Sequence, residues 1–81
     1  MNHVEFLFGT TSGEAEAFCK RMQWKPYGRG AWRKPNGTVV CFTCFIEQLA
    51  AVEAGMTVHV LGQHAPALRA LRKIGAVIVQ L

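Results

Sequence analysis

The chain has 81 residues, a formal net charge of +4, 51% hydrophobic and 17% charged residues. That length holds one core and that balance is globular, which excludes a second domain and an intrinsically disordered segment; residues 1–81 read as a single α/β domain. No run reaches the roughly 18 apolar residues of a membrane span, so no membrane partner is expected.

The first segment, His3 to Phe8, alternates: Val4, Phe6 and Phe8 on one side, His3, Glu5 and Leu7 on the other. That is strand periodicity. It stops at Gly9, and Thr11-Ser12-Gly13-Glu14 then matches a capping box, in which the Thr11 hydroxyl accepts from the Glu14 amide while the Glu14 carboxylate reaches back. Ala15, Phe18, Cys19 and Met22 follow as one apolar helical stripe. Glu14 and Glu16 suit the positive helix start, Lys20 and Arg21 the negative end.

Pro26, Gly28 and Gly30 break any regular element between Trp24 and Ala31. Ala31–Lys34 reads as a short strand, Lys34-Pro35-Asn36-Gly37 as a turn, and Thr38–Phe42, extended toward Cys44, as its return strand. Phe45, Leu49 and Val52 then sit at i, i+4 and i+7, which predicts a helix to about Ala54 with Gly55 as its C-cap. Thr57–Leu61 is a strand. Ala65–Ile74 is a helix with Pro66 in its first turn, Leu68, Leu71 and Ile74 inward, Arg69, Arg72 and Lys73 outward, and Gly75 closing it. Ala76–Leu81 is apolar enough for a sheet interior.

The resulting order is β-α-β-β-α-β-α-β, a small mixed sheet of four to five strands with three helices and a C-terminal parallel βαβ unit. Its first six elements also follow ferredoxin-like α+β order, the alternative fold.

Six of the nine basic residues fall between Lys20 and Lys34, with no acid among them. Lys20, Arg21, Lys25, Arg29, Arg33 and Lys34 are interleaved with Trp24, Tyr27 and Trp32. Cations neutralise phosphates or carboxylates and planar rings stack on bases, so this segment is the candidate partner-binding surface, for an acidic protein or a single-stranded nucleic acid. The competing reading puts Trp24 and Trp32 in the core, with the charges solvated around them. Arg69, Arg72 and Lys73 extend the patch if that helix end lies nearby. A homodimer through the edge hairpin stays open.

The loop after the first strand is the second candidate. Phe6–Phe18, FLFGTTSGEAEAF, resembles the phosphate-binding loop of flavodoxin-like proteins, where a hydroxyl-rich turn before a helix cradles the flavin phosphate. The resemblance implies Thr10, Thr11, Ser12 and Gly13 as the anion site of a small phosphate- or nucleotide-binding domain. It covers about a sixth of the chain. A flavodoxin has far more chain to wrap a flavin, Glu14 sets a carboxylate where the anion would sit, and no Gly-Lys-Ser/Thr follows.

Catalytic signals are absent. There is no Asp, so no Ser-His-Asp set can form, and the scattered glutamates make no paired-carboxylate site. Cys41-Phe42-Thr43-Cys44 has CxxC spacing, but an extended backbone sends the two thiols to opposite faces, and neither metal nor another cofactor is expected. Three cysteines, an odd number, and MNHVEFLFG without a basic start read as free thiols, no signal peptide and a cytoplasmic protein. In size and texture the chain resembles the small accessory proteins of phages and mobile elements, some of which inhibit host machinery. The expectation is a non-enzymatic binding protein.

Overall fold

The structure is a computed structural model that describes residues 4–80. His3 and Leu81, placed in strands above, lie outside the described residues. In chain order the elements are β1 (Val4–Phe8), α1 (Ser12–Arg21), β2 (Lys25–Pro26), β3 (Ala31–Arg33), β4 (Val39–Thr43), a 3₁₀ helix (Ile46–Ala51), β5 (Thr57–Val60), α2 (Ala65–Ile74) and β6 (Val77–Gln80). They build a small mixed α/β domain around one six-stranded sheet, ordered β2-β3-β4-β1-β5-β6. β4, β1, β5 and β6 run parallel, while β3 and β2 add antiparallel at the β4 edge.

Strand alternation sends each strand's apolar residues to two cores. On one face, Leu7, Val40 and Leu61 lie under Ala15, Phe18 and Cys19 of α1, with Trp24 closing the end. On the other, Phe8, Val58 and Val60 meet Leu49 and Val52 from the 3₁₀ region and Ala67, Leu68 and Leu71 of α2. Helices on both faces of a largely parallel sheet set aside the ferredoxin-like alternative, whose antiparallel sheet would carry its helices on one face. The expected strand count of four to five is corrected to six.

Local expectations are corrected as well. The predicted helix from Phe45 to Ala54 is a shorter 3₁₀ helix, with Gln48 donating to the Phe45 carbonyl and Val52 to the Leu49 carbonyl. Its inward residues are Ile46, Leu49 and Val52, spaced by three, because side chains at i and i+3 eclipse in a 3₁₀ helix. Phe45 is therefore left 60% exposed. Thr43 shapes the turn into it: its hydroxyl donates to the Gln48 side-chain oxygen and accepts from the Phe45 amide at 3.2 Å.

Lys25–Pro26, expected to be irregular, is a two-residue strand pairing with Trp32 and Arg33. Proline is compatible because an edge strand needs no outward donor. The expectation of a sheet-interior strand at the chain's end is corrected too: β6, Val77–Gln80, is the other edge among the described residues, with Val77 half exposed.

The helix ends follow the chain's own signals. Thr11 caps α1 by accepting from the Glu14 amide at 3.1 Å, but the Glu14 carboxylate takes the Thr10 hydroxyl at 3.1 Å instead of reaching back. Met22, placed on the apolar stripe, is the C-cap and is exposed. α2 has the predicted bounds. His64 caps its start, Nδ1 accepting from the Ala67 amide at 3.2 Å, and Gly75 ends it in the left-handed region at φ 86°.

Candidate functional site

The basic segment divides into a structural part and an open part. Trp24 is buried, packing edge-on against Phe18 at 5.3 Å and against His59 at 5.4 Å between ring centroids. Trp32 on β3 is half-buried against the same core. Neither indole is free to stack on a partner over its whole face. Lys20 pairs with Glu16 at 3.0 Å along the helix, and Arg21 lies over the Phe18 ring at 5.7 Å.

Lys34 is the most constrained cation. Its ammonium lies 5.3 Å from the centre of the Trp24 ring and is ion-paired with Glu5 of β1. The same Glu5 oxygen accepts from His59 Nε2 at 2.7 Å. Lys34, Glu5 and His59 thus form a charged cluster roofed by Trp24, with side chains only 18%, 20% and 10% exposed respectively. Burial alone would raise the Glu5 carboxyl, but the hydrogen bonds and charges of Lys34 and His59 outweigh it, and its pKa lies below the ordinary value.

Glu5 and His59 are more than fifty positions apart in sequence. Only parallel pairing of β1 with β5, Leu7 opposite His59, brings them onto one face. That face is the α1 core, where His59 meets Trp24, and no local pattern in the sequence signals it, because β1 and β5 are set side by side only by long-range pairing.

Beside this cluster the chain leaves an open recess of about 380 Å³, lined by Gln23, Lys25, Arg33, Lys34 and Pro35. Lys25 and Arg33 are direct cross-strand partners on β2 and β3. Like charges placed directly opposite each other in a sheet repel and are destabilising. Gln23 is the non-glycine residue in the left-handed region among those described, at φ 62°. It occupies the position past the end of α1 where glycine is usual, with the Trp24 amide closing back onto the Cys19 carbonyl at 2.9 Å. Tyr27, half exposed, lies under the Arg33 guanidinium at 5.1 Å, and Arg29 projects from the Gly28–Gly30 turn. Arg69, Arg72 and Lys73 belong to α2, which packs on the opposite face of the sheet beside β6, and do not extend this recess.

The loop holding Thr10, Thr11, Ser12 and Gly13 stands at the carboxyl end of β1, exposed, at the start of α1. β1 leads to α1 on one face of the sheet and its neighbour β5 leads to α2 on the other, so the β1–β5 boundary is the topological switch point, where open α/β sheets commonly bind ligands. A second recess, of about 280 Å³, lies below it between Glu14, Phe18 and Arg21 of α1 and Leu61-Gly62.

Cys19, Cys41 and Cys44 are free thiols, and burial pushes that of Cys19 up to about 11. Among the described residues no group of three or more His, Cys, Asp or Glu side chains is placed to hold a metal ion, and no helix is long and apolar enough to cross a membrane. Comparison with known protein families, curated proteins and solved structures returns no match.

Proposed function

We propose that this chain is a non-enzymatic binding protein, accessory or inhibitor-like, that engages an acidic protein surface through the recess at Gln23, Lys25, Arg33 and Lys34. The observation that carries the reading is the Lys25–Arg33 pair: two cations set directly across a short edge hairpin, at a cost in stability, both facing one open recess. A carboxylate or phosphate between them would turn repulsion into two charge-assisted hydrogen bonds, and Arg33 offers a planar fork suited to a carboxylate. Lys34 adds charge from a position already held by Glu5 and Trp24, so little rotamer freedom is lost on binding. Tyr27 is the one large exposed ring of the segment, which favours acidic side chains over a run of stacked bases. The three free thiols fit a reducing, cytoplasmic setting.

The test is fluorescence anisotropy with a glutamate-rich peptide and, separately, a single-stranded oligonucleotide, over a salt series. The peptide should bind, weaken steeply with salt, and be lost in the Lys25→Ala/Arg33→Ala double variant. That variant should melt no lower than the parent, since it relieves a like-charge pair. Preference for the oligonucleotide would move the partner to nucleic acid; no salt-sensitive binding to either would end the proposal.

The switch-point position of Thr10–Gly13 favours a second reading, a small phosphate- or nucleotide-binding domain. An anion there would have to displace the Glu14 carboxylate from Thr10. A rise in melting temperature with phosphate or flavin mononucleotide, lost in Thr11→Ala but kept in the Lys25→Ala/Arg33→Ala variant, would support it.

A further inference from the structure

The sheet ends in two edges of opposite character. The β2 edge carries the usual protections against further pairing: it is two residues long and consists of a lysine and a proline. β6 is four residues, Val77-Ile78-Val79-Gln80, with no charge, no proline and no strand beyond it among the described residues. Ile78 faces the α2 core. Alternation therefore sends Val77 and Val79 to the opposite face, where Val77 is 50% exposed.

We infer that β6 is a self-association edge, pairing antiparallel with β6 of a second copy to give one continuous twelve-stranded sheet. The backbone selects a strand as the occupant. The Val77 amide donates inward to the Met56 carbonyl at 2.8 Å, so the next residue, Ile78, turns both its N–H and its C=O outward. The side chains select a second copy. A two-fold axis normal to the sheet at Ile78 makes Ile78 and its counterpart a hydrogen-bonded pair, exchanging N–H···O=C bonds in both directions. It then places Val77 opposite the second copy's Val79, on the same face, in the closer non-hydrogen-bonded pairing. The contact is isologous, apolar and uncharged, so it closes at two copies. The recess at Lys25 and Arg33 stays open at both far ends of the enlarged sheet, and the inference does not depend on what binds there.

Sedimentation over a concentration series, with amide exchange followed by NMR, tests it. A dimer should form with rising concentration and persist at high salt, where binding of the glutamate-rich peptide is lost. The Ile78 amide should gain protection in step with the dimer fraction, while the Val79 amide, already bonded inward, changes little. Val77→Lys should weaken the dimer at least about tenfold with an unchanged fold, since it burdens only an exposed side chain. A chain monomeric up to about 1 mM, a dimer that survives Val77→Lys, or an Ile78 amide protected only when the peptide is added would each overturn the self-pairing.

Discussion

The two flanks of this sheet are held to the centre by different chemistry. On the β5–α2–β6 flank the contacts are apolar: Val58 and Val60 under Ala67, Leu68 and Leu71, a helix with a proline start and a glycine end. On the flank that carries β2 and β3, the contact runs through Trp24 and a charged cluster in which Lys34 and His59 share one Glu5 oxygen. Apolar burial involves no titrating group, whereas the partly buried pair of Lys34 and Glu5 depends on the carboxylate keeping its charge. The first flank is therefore a plain scaffold. The second couples the cationic recess to the state of a carboxylate in β1.

The largest expected effect is at the residue that makes that coupling possible. Trp24→Ala removes a buried ring and uncovers Lys34 and His59, and should destabilise by about 3–5 kcal/mol in chemical denaturation. Leu71→Ala on the apolar flank should cost a comparable amount without altering how stability depends on pH. If both variants show the same pH profile, the contrast between the flanks fails.

Next comes Glu5. Its carboxyl is depressed in the folded state, so it contributes stability that is present above the unfolded carboxylate pKa and is lost as pH falls through the folded one. Glu5→Gln should therefore flatten the acid limb of the stability profile. At neutral pH it should cost about 1–3 kcal/mol, because Lys34 is left without its counter-charge. Stability measured by denaturant between neutral and acid pH decides this.

The smallest effect sharpens the same contrast at the two helix ends. Gly75 and Gln23 both occupy the left-handed region after a helix. Gly75→Ala should destabilise by roughly 1 kcal/mol, while Gln23→Gly should stabilise by about 0.5–1 kcal/mol. Gln23→Gly should also weaken peptide binding, since the carboxamide lines the recess. A variant that is more stable and binds less well would show that the strained glutamine serves the site.

Much of the frame was legible because local chemistry agrees with the fold. The Thr11 cap, the Pro35-Asn36-Gly37 turn and the α2 bounds each rest on neighbours within a few residues. In the turn, Asn36 Oδ1 accepts from the Thr38 amide at 3.0 Å and Gly37 takes φ 91°. Over the 3₁₀ helix two periods compete in the sequence: Phe45-Leu49-Val52 fits an α-helix and Ile46-Leu49-Val52 a 3₁₀ one. Packing against Phe8 and Leu71 chose the second. The place of β6 is not legible locally, because an apolar run looks the same in a sheet centre and at an unprotected edge.

Of the basic segment, the sequence located the charge but not its use. Six cations and three rings in fifteen residues are visible by inspection. Which of them are committed to the core depends on where β1 and β5 lie, and strand neighbours are set by long-range pairing that no local pattern encodes. Taken alone, the sequence therefore determined the elements, the caps and the concentration of positive charge, all short-range properties. The tertiary structure alone decided that Trp24 and Lys34 close over Glu5 and His59, that Lys25 stands opposite Arg33, and that β6 ends the sheet. Each of those depends on segments distant in the chain meeting in one register, and the side chains themselves carry no label of that register.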